Sequence, residues 1–335
     1  MAAHRPIAAL AMDAEVLDRV IPSDLRQRLG RCADLAPVPL TGPLGTPEAR
    51  AVLSGVELLV TGWGCPQLTS DVLAHTPRLR AVVHAAGSVK PVVSDALWDR
   101  PGITVSSAAD ANAGPVVAFT LAAITFAAKK ALPVAARYSG GWPGFTAREG
   151  ADGRVVGIIG ASRIGRRVIA GLRASDAGYR ILLTDPYVTE AEAAALGAEL
   201  VDLPELCRRS SIVSVHAPQL PETRGLLGEE MLKLVPDGGV VVNTARGPLV
   251  DTEALARECA AGRLDAFLDV TDPEPLPPGH PLLTLPNVLV TPHMAGAQGS
   301  EVRRLGVYAV EEAERFARGE ELLGRLRREN LARLA

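Results

Sequence analysis

Two α/β domains with parallel, doubly wound sheets are the fold class this sequence predicts, and three observations predict it. Short apolar strands alternate with helical patterns twice along the chain, over residues 6–105 and again over 154–290. Strands buried on both faces under helices read in this way. A glycine-bearing turn joins the first strand of the second series to its helix, as a phosphate-facing turn would. A length of 335 residues is enough for two separate cores.

In the first series the strands are PIAALAM, ELLVTG, LRAVVHAAG and ITVSS, and the helical patterns are VLDRVIPSDLRQRLG and LTSDVLAHTP. The Gly/Pro stretch TGPLGTPEAR reads as a loop between them. Residues 111–132 then form a long apolar helix, with Pro115 expected in its first turn, where a missing N–H costs nothing. It is hydrophobic nearly all round, which predicts burial between domains or subunits. Counted from Pro115 to Lys130 it falls short of the roughly 20 residues a membrane span needs. An arm without periodicity, 133–153, follows; arms of this length are commonly ordered by a partner subunit.

The second series runs RVVGIIG, YRILLTD, SIVSVHAP, GGVVVNT, LDAFLDV and NVLVTPH, separated by helical stretches such as TEAEAAALG, EEMLKLVP and TEALARECAAG. Gly160, Ser162 and Gly165 occupy the three glycine places of a dinucleotide fingerprint, and Asp185 falls about 20 residues past Gly165 at the end of the next strand. Gly160 lets the strand turn sharply and Gly165 lets the helix lie close on the sheet. Ser162 departs from the pattern, and its hydroxyl is itself able to donate to a phosphate oxygen. Asp185 accepts hydrogen bonds from a ribose 2′-hydroxyl and repels a 2′-phosphate. Residues 186–189 contain no arginine for that phosphate, so the expected cofactor is NAD. A charged amphipathic helix and a mixed-charge tail close the chain over 299–335.

A net charge of −3 and a 4% aromatic content give no reason to expect a nucleic-acid or anionic-membrane partner. The apolar run IAALAM ends at Asp13, too short for a signal-peptide core. Cys32, Cys65, Cys207 and Cys259 are too scattered for a zinc-ligand spacing; they read as reduced thiols of a cytoplasmic protein, and no metal is expected.

Four loops follow strands of the second series: HAPQLPETRGLL, NTARGPLVD, LDVTDPEPLP and TPHMAG. Three carry an ionisable residue that carbonyl/alcohol redox chemistry wants, namely Arg246, Glu274 and His293. A guanidinium clamps a carboxylate through two parallel hydrogen bonds. An imidazole gives a proton to a carbonyl oxygen and retrieves it in reverse. A neighbouring carboxylate fixes the tautomer of an imidazole and favours its charged form.

NTARGPLVD, LDVTDPEPLP and TPHMAG, following GIIGASRIG at these spacings, resemble the signatures of the D-isomer-specific 2-hydroxyacid dehydrogenase family. The resemblance covers nearly the whole chain and is looser in the first hundred residues. It implies a Rossmann cofactor domain, 109–298, inserted into a flavodoxin-like substrate domain made of 1–108 and 299–335. It also implies a homodimer formed through the cofactor domain and the 133–153 arm.

By the same resemblance Arg246 binds substrate, Glu274 is the catalytic glutamate and His293 the proton donor and acceptor. Asp269 holds the nicotinamide carboxamide, and Arg163, Ile164, Asp185, His216, Ala217, Pro218, Thr223, Thr244 and Ala245 line the cofactor. VVHAAGSVK resembles the loop whose N–H groups cradle a substrate carboxylate, which makes Gly87, Ser88 and Val89 candidates. Lys90 stands where the family commonly has an acid or a small residue; it is either a solvated charge or a site for a second anionic group, phosphate, phosphonate or carboxylate. Where many relatives carry a glutamate, this chain has Val117, Ala118 and Phe119.

His216 reads as a packed loop histidine, His84 as a neighbour of the substrate loop, and His4, His75 and His280 as solvated. Trp63 either walls the pocket or caps a core. The function implied is interconversion of a small D-2-hydroxy acid and its 2-keto acid. A phosphonate, a phosphorylated hydroxy acid or formate on the same scaffold is the alternative. A non-catalytic NAD(H)-sensing module of the co-repressor kind is disfavoured, because a sensor has no need of the Arg/Glu/His set.

Overall fold

The structure is a computed structural model, and it describes residues 5–142, 144–145 and 148–331. The first series supplies strands β1 (Ile7–Ala11), β2 (Asp34–Leu35), β3 (Leu58–Thr61), β4 (Ala81–His84) and β5 (Thr104–Ser107). The second supplies β6 (Val155–Ile159), β7 (Arg180–Thr184), β8 (Glu199–Leu200), β9 (Ile212–Val215), β10 (Gly239–Asn243), β11 (Leu264–Leu268) and β12 (Val288–Val290). β13 (Arg325–Leu326) lies in the C-terminal tail.

The chain divides into two compact units, one ending at Gly114 and resuming at Ala297, the other spanning Pro115–Gly296. The sequence places the junctions at 108/109 and 298/299, whereas the compact units divide at Gly114 and Ala297. The first falls inside a helix, Ala109–Ala128, instead of ahead of it.

In the first unit the sheet order is β13-β5-β4-β3-β1-β2. β1 to β5 pair in parallel in the flavodoxin-like order, and β13 adds an antiparallel edge. Every residue of β3 and β4 is buried, which is why both read as unbroken apolar runs. Their register sets Thr61 beside His84 at the carboxyl ends. The expected amphipathic helix is Val302–Ala317, and its Glu312 is buried. That carboxylate accepts from the main chain of Leu323 and Gly324 at 2.9 Å each, and so holds the tail where β13 forms. Two residues are too few to show periodicity, and β13 leaves no sign in the sequence.

In the second unit the sheet order is β12-β11-β10-β9-β6-β7-β8, all parallel. This is the dinucleotide-binding order, with its switch point between β6 and β9. Helix Ala109–Ala128 differs from its forecast at both ends. It starts earlier, so Pro115 lies inside it and not in the first turn. At 20 residues it is long and apolar enough to cross a membrane by length and composition. Ala123, Ile124, Ala127 and Ala128 instead pack into the core with Val156 and Ile158 of β6. The helix stops at Ala128 because Lys130 adopts a left-handed φ of 53°, with its ammonium 2.7 Å from Asp265. A second helix, Ala131–Arg137, takes up the start of the expected aperiodic arm; Pro143, Thr146 and Ala147 of that arm lie outside the described residues, as does His4.

Candidate active site

The glycine turn after β6 leaves no room for side chains at two of its three signature positions. Gly160 has φ of +98°, and a Cβ there would come within 2.8 Å of the Ala217 nitrogen. A Cβ on Gly165 would stand 2.1 Å from the Gly160 carbonyl oxygen. Ser162 is different. Its φ of −65° and ψ of 177° suit any residue, and it caps the helix Arg163–Arg173 by accepting from the Gly165 N–H at 3.3 Å. The departure from glycine therefore carries no backbone strain, and the hydroxyl proton is left to donate. The main-chain N–H groups of a first helical turn lack intrahelical partners and face an anion well.

Asp185, just past β7, is tied to this turn. Its Oδ2 accepts from the Ala161 N–H at 2.7 Å and its Oδ1 from the Tyr187 N–H at 2.8 Å. The carboxylate stays half-exposed, with acceptor capacity for a ribose hydroxyl. His216 packs behind the turn, 2% exposed, where burial pushes its imidazole down to about 3. Nε2 lies 2.9 Å from the Ser214 hydroxyl, and Nδ1 has no partner among the described residues. Its part is to shape the turn. Ala217 is buried beside it, and the Thr223 hydroxyl donates to the Pro218 carbonyl at 2.7 Å, closing the 218–223 loop. These residues fit a dinucleotide: a cradle that side chains would fill, a helix N-terminus and a ribose-ready acid.

Past β10, Asn243 builds the next loop. Its Oδ1 accepts from the Ala245 N–H at 3.0 Å and its Nδ2 donates to the Arg246 carbonyl at 2.9 Å. The buried Thr244 hydroxyl meets that of Thr120 at 2.8 Å. A Cβ on Gly247 would stand 1.9 Å from the Thr271 carbonyl oxygen, so glycine alone lets the Arg246 turn lie against the loop that carries Glu274. Burial draws the half-buried Arg246 guanidinium below its ordinary value, and the nearby Glu274 carboxylate opposes this.

Glu274 accepts the third member. Its Oε1 is 2.7 Å from His293 Nδ1, with both side chains partly exposed. His293 sits at φ 50°, a left-handed conformation uncommon for a histidine. Asp269 holds it there. The Asp269 carbonyl accepts from the His293 N–H at 2.9 Å. The carboxylate accepts from the Thr291 hydroxyl at 2.6 Å and from the main chain of Met294 and Ala295 at 2.7 and 2.9 Å. The resemblance gives Asp269 to a carboxamide; the structure shows it organising the 291–295 turn. Asn243, Thr120 and Thr271 were missed by sequence reasoning, although an Asn two residues before a tight turn is a recognised turn former.

Gly87, Ser88, Val89 and Lys90 belong to the other unit, just past β4. The N–H groups of Gly87, Ser88 and Val89 donate to no protein group among the described residues. Val89 has a buried side chain and Lys90 is exposed. His84 is buried at the end of β4, and His280, expected in solvent, is buried against Glu253. Trp63 is 37% exposed.

The fold and the glycine turn after β6 define a dinucleotide-binding protein built of two α/β units. Residues 121–295 match the model of the D-isomer specific 2-hydroxyacid dehydrogenase NAD-binding domain. A glyoxylate reductase from Aeropyrum pernix is 34% identical over 76% of this chain and 78% of its own length. A D-3-phosphoglycerate dehydrogenase from Methanocaldococcus jannaschii is 32% identical over 82% of this chain and 52% of its own. The chain thus spans about half the length of the phosphoglycerate dehydrogenases it matches. Among solved structures, the TT0316 protein from Thermus thermophilus superposes with a TM-score of 0.72 at 30% identity, covering 96% of this chain and 100% of that one. D-mandelate dehydrogenase from Rhodotorula graminis gives 0.81 at 24% identity over 96% and 98%, a likeness of fold. The chain belongs to the D-isomer-specific 2-hydroxyacid dehydrogenase family.

Proposed function

We propose that the protein reduces a small 2-keto acid to its D-2-hydroxy acid with NADH, and catalyses the reverse. The observation that carries this is the contact of His293 with Glu274 beside Arg246. With Nδ1–H directed to the Glu274 carboxylate, His293 keeps Nε2 for the substrate oxygen and hands it a proton there during reduction. Arg246, held by Asn243 and Gly247, binds the carboxylate. Nicotinamide, when bound, supplies or accepts the hydride at substrate C2. Gly160, Gly165, Ser162 and Asp185 would hold the dinucleotide. Asp185 favours NAD over NADP.

The test is NADH oxidation followed with glyoxylate, pyruvate and hydroxypyruvate. Saturable turnover of at least one is expected, and none with any of them would overturn the assignment. Phosphorylated hydroxy acids are the second reading. The match to phosphoglycerate dehydrogenases favours it, as does the exposed Lys90 beside the 87–89 loop. Preference for phosphohydroxypyruvate over hydroxypyruvate, abolished in Lys90→Ala, would establish it.

We also propose a homodimer through the second unit. Phe126, Tyr138, Trp142 and Phe145 are 56%, 56%, 76% and 86% exposed within a short span, a concentration that a second copy would cover. Sedimentation of the full chain as a monomer at micromolar concentration would dismiss it. All four cysteines are free thiols, which supports a cytoplasmic setting.

A further inference from the structure

His84 ends β4, is 2% exposed, and lies four residues ahead of Ser88. Its Nδ1 is 2.9 Å from the Thr61 hydroxyl, its register partner at the end of β3. The Ser88 main chain acts on the ring as an acceptor does, favouring its charged form against the larger effect of burial. Burial pushes the imidazole down to about 4, so the ring is neutral at physiological pH and carries a single proton. A neutral ring has one proton, so when Nδ1 accepts from the Thr61 hydroxyl that proton sits on Nε2, the nitrogen left to donate.

The neighbouring geometry gives that arrangement a consequence. The Ser88 carbonyl and the Val89 N–H belong to one trans peptide unit and point in opposite directions. Anchoring the carbonyl inward on His84 turns the Val89 N–H outward. That N–H, with those of Gly87 and Ser88, has no protein acceptor among the described residues.

We propose that His84 is the positioning residue of the carboxylate loop: Thr61 donates to its Nδ1, its Nε2–H donates to the Ser88 carbonyl, and the 88–89 peptide is thereby locked with its N–H toward the substrate anion. His84 touches no reacting atom, and its role is to pre-order a binding loop before substrate arrives. The inference rests on the keto-acid reading of the site.

The experiment compares the full-length wild type with His84→Leu, His84→Gln and Thr61→Val, all loaded with NADH. His84→Leu should raise KM for the 2-keto acid about tenfold, the net value of roughly one hydrogen bond, with kcat within about threefold and NADH affinity unchanged. His84→Gln, which keeps a donor for Ser88, should recover most of the loss. Thr61→Val, a milder change that preserves the fold if His84→Leu does not, should raise KM about threefold. Nitrogen-15 spectra of the wild type at pH 7 should show a neutral ring protonated at Nε2.

A ring protonated at Nδ1, or KM unmoved in every variant, would overturn the inference alone. So would losses shared equally among KM, kcat and NADH affinity, which mark a merely structural role. A wild type that neither turns over a keto acid nor binds oxamate in the NADH complex would overturn the site reading, and this inference with it.

Discussion

The main-chain N–H of His293 donates to the carbonyl of Asp269 at 2.9 Å, while the carboxylate of the same aspartate collects the Thr291 hydroxyl and the N–H groups of Met294 and Ala295. One side chain at the end of β11 thus dictates the path of the segment that presents the candidate acid. His293 holds a left-handed φ because the turn on both sides of it is fixed. Asp269→Asn puts an amide in place of an acceptor and opposes a donor to one of those N–H groups. We expect a loss of about 1–3 kcal/mol of stability and a fall in kcat larger than any change in NADH affinity. Urea unfolding and steady-state kinetics check both. An unchanged kcat would detach Asp269 from the catalytic turn.

On the proposed function His293 carries the proton, so His293→Ala should lower kcat by roughly 10²-fold or more and leave NADH binding nearly unchanged. Glu274→Gln removes the negative partner at Nδ1 but preserves the shape, and should give a smaller fall. Stopped-flow measurement of hydride transfer separates these effects from product release. A Glu274→Gln enzyme slower than His293→Ala would reverse the roles assigned here.

Gly247→Ala tests how Arg246 is aimed. The added Cβ would meet the Thr271 carbonyl at 1.9 Å, main chain against main chain, so one of the two loops must move. KM for the keto acid should rise at least about tenfold, because a misplaced guanidinium loses its paired hydrogen bonds, while the distant glycine turn keeps its NADH affinity. Equal loss of both affinities would mean that the second unit as a whole has been disturbed.

Much of this was legible in the residues. β6, the capped helix after it and Asp185 at the end of β7 follow from glycine spacing and apolar runs, because that turn is built from local contacts. Arg246, Glu274 and His293 were recognisable only from the motifs around them, since nothing in their spacing brings 246 to 274 or 274 to 293. What brings them together is long-range: Gly247 against Thr271, and Asp269 against 291–295. Proline favours a helix's first turn, which points to a start near 111, but Pro115 is accommodated inside a helix that begins at Ala109. β2, β8 and β13, of two residues each, are set by their neighbours and leave no pattern.

The proposed function gives the choice of cofactor to Asp185. Asp185→Ser removes the charge that disfavours a 2′-phosphate, and should raise kcat/KM for NADPH relative to NADH by about tenfold or more. The Ala161 and Tyr187 N–H groups lose their acceptors in the same step, so NADH affinity should also fall. An unchanged NADPH to NADH ratio would place the ribose elsewhere.

Two buried imidazoles predict how stability follows pH. Burial pushes His84 down to about 4 and His216 to about 3, against an ordinary value of 6.5. Below pH 6.5 the unfolded chain takes up protons at these positions that the folded chain refuses, so acid favours unfolding. The contribution is complete above about 6.5, is lost as the pH falls toward 4 for His84 and toward 3 for His216, and levels off below those values. The slope should approach about 1.4 kcal/mol per pH unit for each ring. Unfolding by urea between pH 7 and 5 reads this window before most carboxylates titrate. His84→Gln should reduce the slope by the share of one imidazole and leave the rest to His216. A stability curve that stays flat from pH 7 to 5 would mean that neither ring is buried neutral, and would remove the basis for treating His84 as a fixed donor to Ser88.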